Sequence, residues 1–308
     1  MAKKIILVFL LLPVFVFAQY DRPGSADAQF LKIGVSARAA ALGNAYIAIA
    51  EGAEAAYYNP AALAWIKGSA LAFNHTKWFA GINHDFVSLA HTFGRLGTVA
   101  LSVTALYTDE MKVRTPLQPD GTGETFYSNN YRAGLSYSLF FTDRVTFGGT
   151  INYIKMNLYS GFSADAVSVD IATLYVTRFR GFRFGMEIAN FGSEVQFVNE
   201  SYPLPTNFTF GLGMNAIQAS SQTLLVSFSA VKPNDGQPLG QIGTEWNYRD
   251  LLFLRVGSRL NHDVEKYSFG AGFKVNISSY NFKLDYSYSD FSLLGAAHRV
   301  GAKIAFGD

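Results

Sequence analysis

From about residue 69 to its end, the chain alternates apolar and polar residues in stretches of roughly ten, the length of a strand that crosses a bilayer at a tilt. In 131-YRAGLSYSLF-140, Tyr131, Ala133, Leu135, Tyr137 and Leu139 fall on one face, and Arg132, Gly134, Ser136 and Ser138 on the other. A period of two is the signature of a β-strand, whose successive side chains point to opposite faces. Starts fall near Ser69, Asn83, Gly97, Phe126, Val145, Ala166, Phe182, Asn207, Thr223, Leu239, Leu251, Lys266, Tyr280 and Ala296, about fourteen strands and an even number, as bacterial barrels require. Short joints such as 94-GRLG-97 and 249-RD-250 alternate with long ones such as 109-DEMKVRTPLQPDGTGE-124 and 192-GSEVQFVNESYPLPT-206. The expected fold is all-β: a transmembrane antiparallel β-barrel with tight periplasmic turns, long outer loops and both termini in the periplasm.

Charges orient the strands. An Arg or Lys facing lipid at mid-bilayer costs about 2–4 kcal/mol, so strand charges should face the lumen. This rule turns inward Arg132, Asp170, Arg183, Glu187, Glu245, Arg255, Arg259, Lys274, Lys283, Asp285, Arg299 and Lys303. It turns outward Leu135, Val169, Phe184, Ile188, Leu254, Val256, Phe273, Leu284, Val300 and Ile304. Trp78, Tyr107, Tyr153, Trp246, Tyr248, Phe282 and Tyr286 are expected in interfacial girdles. Arg255, Arg259, Lys274, Lys283, Arg299 and Lys303 come from neighbouring strands and read in two ways: a basic lumen wall for a carboxylate or anionic cargo, or charges paired with each other and with an internal plug.

Residues 1–18 have the form of a secretory signal peptide, with Lys3 and Lys4, an apolar run from Ile5 to Phe17, and small residues before Gln19. That places the protein in the bacterial outer membrane, in contact with its lipid. Without those two lysines the 25 basic residues fall to 23, matching 23 acidic ones, so no nucleic-acid partner is implied. With no Cys, disulfides and thiolate chemistry are excluded. His75, His84, His91, His262 and His298 are scattered and read as loop or girdle residues. No catalytic set, metal site or cofactor is expected, and an enzyme is not expected.

Residues 19–68 break the strand pattern and read as an N-terminal hatch inside or under a barrel formed by 69–308. Ser36 is placed to cap a helix over 37–50, followed by 53–58 and a break at Asn59-Pro60. The pieces 30-FLKI-33, 36-SARA-39, 43-GNA-45 and 59-NPA-61 in order resemble the opening of the PorV/PorQ family of outer-membrane proteins, which is related to FadL-type long-chain fatty acid transporters. The motif residues are Phe30, Leu31, Lys32, Ile33, Ser36, Ala37, Arg38, Gly43, Asn44, Ala45, Asn59, Pro60 and Ala61. The resemblance implies a fourteen-stranded FadL-like barrel with a small helical hatch. It implies an accessory or shuttle component of type IX protein secretion, partnered by translocon or attachment proteins and their cargo. The alternative is a FadL-like passive channel for hydrophobic small molecules. FadL-type transport moves ligands sideways through a wall gap at a strand kink, and the kink candidates are Gly148-Gly149 and Asn190-Phe191-Gly192.

Overall fold

The computed structural model describes residues 22–159 and 161–307. The leader expected over 1–18 lies outside the described residues, as do 19–21. Fourteen antiparallel strands close into one barrel. They are β1 (Ser69–Lys77), β2 (Ile82–Thr92), β3 (Thr98–Thr108), β4 (Asn129–Phe140), β5 (Val145–Tyr159), β6 (Phe162–Val176) and β7 (Arg183–Gly192), followed by β8 (Asn207–Gln218), β9 (Gln222–Pro233), β10 (Leu239–Tyr248), β11 (Leu252–Leu260), β12 (Tyr267–Ile277), β13 (Tyr280–Asp290) and β14 (Ala296–Phe306). Each strand pairs with its neighbour in sequence, and β14 pairs with β1 with His75 opposite Val300. Closure leaves no free sheet edge, a requirement in lipid. The connections at one end, here the turn end, are all short, and the two longest lie at the other, the loop end, among shorter ones. The two longest carry small hairpins, Met111–Lys112 with Thr125–Phe126 and Val195–Gln196 with Ser201–Tyr202.

Adjacent residues separate cleanly between the two faces of the wall. Leu101, Leu135, Ile151, Ile171, Leu254, Leu284 and Val300 are exposed on the outside. Their neighbours Ser102, Ser136, Asn152, Asp170, Arg255, Asp285 and Arg299 are buried inside. A closed cylinder with so continuous an apolar exterior is solvated by acyl chains, not water. No helix among the described residues is long and apolar enough to cross a membrane.

Residues 22–68 fill the lumen. The Ser36 hydroxyl accepts from the Ala39 N–H at 3.3 Å and caps helix α1, which runs only over Ala37–Ala41. The helix expected to reach residue 50 stops because Gly43 and Asn44 take left-handed backbone, with φ of 62° and 63°. Sterics demand the turn. A Cβ on Gly257 would lie 2.0 Å from the Gly43 nitrogen, and one on Gly243 would lie 2.6 Å from the Leu42 oxygen. The wall is too close for another turn of a helix about 10 Å across. Helix α2 (Ala55–Tyr58) follows, and the Asn59 side chain accepts from the Ala61 N–H at 3.1 Å where Pro60 opens a 3-10 turn over Pro60–Trp65. Ala39, Leu42, Tyr46, Ile49, Ala61 and Leu63 form the hatch core against wall residues Ala70, Ala72, Ala90, Ala100, Ala172 and Leu174.

The chain passes through the lumen from end to end. Near its start the Asp27 N–H donates to the Pro203 carbonyl in a long connection at 3.0 Å, whereas Gly68 packs against Gly307 at the turn end. The first described residues and Gly307 therefore lie at opposite ends of the barrel, and the terminal residues expected on the periplasmic side lie outside the described residues.

Gly257→Val places a branched side chain where the Gly43 backbone now sits. The variant should still close its barrel, with the hatch displaced. The checks are retained heat-modifiable migration of the barrel and a rise in protease access to residues 34–50.

Candidate functional site

Sequence places the hatch, and buried charge fastens it. Arg38 on α1 donates to Glu245 through two bonds of 2.7 Å and also pairs with Glu51. Glu245 accepts from Arg255 at 2.5 Å, and Arg255 reaches Asp285 at 2.8 Å. Asp285 lies 3.2 Å from Lys303, which pairs with Glu54 of the hatch at 2.7 Å. Glu54 also accepts from Ser36 at 2.8 Å and from Asn74 at 2.7 Å. The chain of charges runs across β10, β11, β13 and β14 and returns to the hatch at both ends.

The six basic residues expected in one wall are split by the hatch. Lys274, Lys283 and Lys303 line a cavity of about 640 Å³ at the turn end, and Arg259 and Arg299 line one of about 620 Å³ at the loop end. Five of the six are ion-paired: Arg255 with Glu245 and Asp285, Arg259 with Glu265, Lys274 with Asp250, Lys283 with Glu51, and Lys303 with Glu54 and Asp285. Arg299 donates to Ser289 at 3.0 Å and lies 5.0 Å from the Trp78 ring. Pairing within the lumen and with the hatch is the arrangement observed. The turn-end lining carries six cations against three carboxylates, while the loop-end lining carries four of each sign.

One stretch of wall breaks the regular ladder. Between β6 and β7, Val169 faces Phe191 but Ile171 faces Ile188, so Ala189 and Asn190 oppose the single residue Asp170. This bulge carries Asn190 at φ 60°. The ladder from β7 to β8 ends at Ala189 opposite Asn207, short of the β7 terminus at Gly192. Side chains take over there. Asp170 accepts from the Asn190 N–H at 2.7 Å, the Thr206 hydroxyl donates to the Asn190 carbonyl at 3.1 Å, and the Asn190 amide donates to the Pro205 carbonyl at 3.3 Å. Asp170 is held in turn by Arg132 at 2.6 Å and Asn152 at 2.8 Å. Inside the wall at this level lies an apolar cluster of Phe30, Leu31, Ile154, Met156, Ala164, Ala166, Val195 and Leu204. Of the two kink candidates, Asn190 is the kink. Gly148 instead makes room for the hatch, since a Cβ there would lie 2.4 Å from the Ala61 nitrogen.

No family model matches the chain, and no curated protein sequence matches it. Solved structures do. The Ralstonia pickettii toluene transporter TbuX aligns with a TM-score of 0.59 at 13% identity, covering 89% of this chain and 99% of that one. The Pseudomonas putida toluene transporter TodX gives 0.56 at 12%, covering 93% and 98%. The CymD monoaromatic hydrocarbon channel gives 0.56 at 14%, covering 89% and 98%. This chain has the FadL-like barrel fold.

Within that fold the motif residues are the joints between hatch and wall. Phe30 and Leu31 pack in the apolar cluster, and Lys32 pairs with Asp235 of the connection between β9 and β10. The Tyr57 hydroxyl bonds the Leu31 and Ile33 carbonyls, both at 2.8 Å. The Ala37 N–H donates to Asn74 at 3.1 Å, the Gly43 N–H to Ser268 at 3.1 Å, and the Ser138 hydroxyl to the Ala61 carbonyl at 3.0 Å. Asn44 and Ala45 are buried, and the Asn59 amide donates to the Ile47 carbonyl at 2.8 Å. Two placements differ from expectation. Trp78 does not join a lipid girdle but packs with Phe79 and Phe291 over the loop-end cavity. His84 is neither in a loop nor in a girdle: alternation buries it in the lumen, while Asp85 faces out and bonds His75 at 2.6 Å and Tyr107 at 2.9 Å. Sequence reasoning passed over Tyr57 and Asp235, whose partners lie far away along the chain.

Two outcomes follow from this geometry. Asp170→Ala removes the acceptor for Asn190 and leaves Arg132 buried without its carboxylate, a loss of about 3–5 kcal/mol. Hydrogen exchange at residues 189–191 should speed up well before the rest of the barrel opens. Burial pushes the Asp235 carboxyl up, but hydrogen bonds from Lys32 and Gln29 outweigh it and hold the group below its ordinary 3.8. A depressed carboxyl stabilises fully above its unfolded value, and the contribution is lost as pH falls through the folded one. Protease protection of residues 29–32 should therefore be flat from about pH 8 to 5 and fall under stronger acid. Asp235→Asn should lack that protection throughout.

Proposed function

We propose that the chain is an outer-membrane channel that carries small hydrophobic molecules from the loop-end cavity sideways through the wall at Asn190. The observation that carries this reading is the interrupted ladder between β7 and β8 lying against an apolar cluster inside the lumen. A guest entering the loop-end cavity meets Leu31, Ile33, Tyr57, Trp78 and Phe291. It can then displace apolar side chains beside the kink and reach acyl chains without crossing water. The hatch remains the seal beneath, fastened through Arg38 and Lys303. The turn end then faces the periplasm, following the short-turn rule for such barrels. The barrels of like fold described as carriers of toluene or monoaromatic hydrocarbons make that ligand class the first to test. The secretion-shuttle role rests on the hatch motif alone, whose residues here serve to seat the plug.

Cells lacking their own hydrocarbon channels and expressing the full chain should take up radiolabelled toluene faster than vector controls. Ala164→Trp and Ala166→Trp, which fill the apolar cluster, should return uptake to the control rate while the barrel still forms. Equal uptake by wild type and controls would overturn the channel, and unchanged uptake in both variants would overturn the sideways route.

A further inference from the structure

Seven carboxylates are buried among the described residues: Glu54, Asp170, Glu187, Asp235, Glu245, Glu265 and Asp285. Six of them have a cation in contact. Glu187 has none, nor any hydrogen bond to a described residue, and its Oε1 is buried without a partner. It is 7% exposed and lines the loop-end cavity, beside Ala189 and Asn190 of the kink. Its neighbours across the ladders, Ala172 on β6 and Thr209 on β8, are small and leave the carboxyl open to the cavity. The nearby cation is already engaged: Arg132 binds Asp170 and Asn152 and sits 4.8 Å from the Tyr57 ring.

An unpartnered buried carboxyl is costly, and each of the other six buried carboxylates is held by a cation. A passage for pure hydrocarbon has no use for one. We infer that Glu187 is the recognition group of the loop-end cavity and selects apolar guests that carry a hydroxyl or amine donor, which it accepts as they approach the kink. This rests on the channel reading and narrows its ligand class from hydrocarbons to phenol-like or aralkylamine-like molecules. A cavity built around an acceptor discriminates through the donor, because a guest lacking it leaves the carboxyl unpaired.

The test compares three monoaromatic probes, toluene, p-cresol and benzylamine, in uptake by cells expressing the full chain. Wild type should favour p-cresol and benzylamine over toluene. Glu187→Leu should lower uptake of both donor-bearing probes about tenfold relative to toluene, a loss in line with one hydrogen bond. Glu187→Gln, which keeps an acceptor of the same shape, should retain p-cresol and lose benzylamine, and it stands in if the leucine variant fails to assemble. Proportional changes in all three probes, or a Gln variant identical to wild type for benzylamine, would overturn the role of Glu187 and leave the channel standing. Failure of wild type to take up any probe would overturn both.

Discussion

The structure depends on one constraint: a closed barrel of this size has an interior that must be filled and electrically satisfied. The chain meets it with its own N-terminal segment. Arg38, Glu245, Arg255, Asp285, Lys303 and Glu54 form a continuous alternation of charge, each member desolvated and each held by opposite neighbours. Such a network is weak evidence for net stability, because desolvation offsets much of the attraction. It is strong evidence for a single geometry. Removing any member strands a charge in the lumen, so the hatch has one seat and one register against the wall.

The fastening is uneven around the barrel. Ion pairs tie the hatch to β10, β13 and β14, with hydrogen bonds to β1, and backbone-close contacts at Gly243 and Gly257 leave no slack there. Toward β5 and β6 at the loop-end level the contact is apolar, through Phe30 and Leu31 against Ile154, Met156, Ala164 and Ala166. That apolar side carries the bulge at Asp170 and the interrupted ladder. The wall is weakest where the plug is least fixed, and Arg132 connects the two by binding Asp170 while resting on Tyr57, which in turn holds the Leu31 and Ile33 carbonyls.

Much of this is legible in the sequence. Period-two alternation located all fourteen strands, because lipid on one side and a filled lumen on the other impose opposite polarity on successive residues. The largest displacement is β6, which begins at Phe162 rather than near Ala166, since Ala164 and Ala166 face inward as apolar residues. The hatch was harder to read. An Ala-rich run favours helix on propensity, but the wall's approach at Gly257 ends α1 after Ala41, and no local signal encodes that distance. The basic residues line two cavities rather than one wall, because Glu51 and Glu54, which neutralise part of the set, belong to the hatch and not to neighbouring strands. Asn190 could be picked out because an Asn-Phe-Gly step is odd within a strand, whereas Gly148 is a packing device whose purpose lies with Pro60 and Ala61.

On the proposed channel reading, energetics favour a sideways exit over a straight one. A guest travelling down the axis would have to unseat Arg38 from Glu245 or Lys303 from Glu54, and each broken buried pair costs about 3–5 kcal/mol. It would then enter a turn-end cavity whose charged lining offers an apolar molecule little in exchange. At the kink the obstacles are side chains such as Leu31, Val195 and Leu204. A hydrophobic guest that displaces them covers the apolar surface it uncovers, so the burial term of about 25 cal/mol per Å² nearly cancels. On that reading the same lumen is shut to ions and water along its axis and passable to greasy molecules through its side. The difference arises because one barrier is built of charge and the other of hydrocarbon.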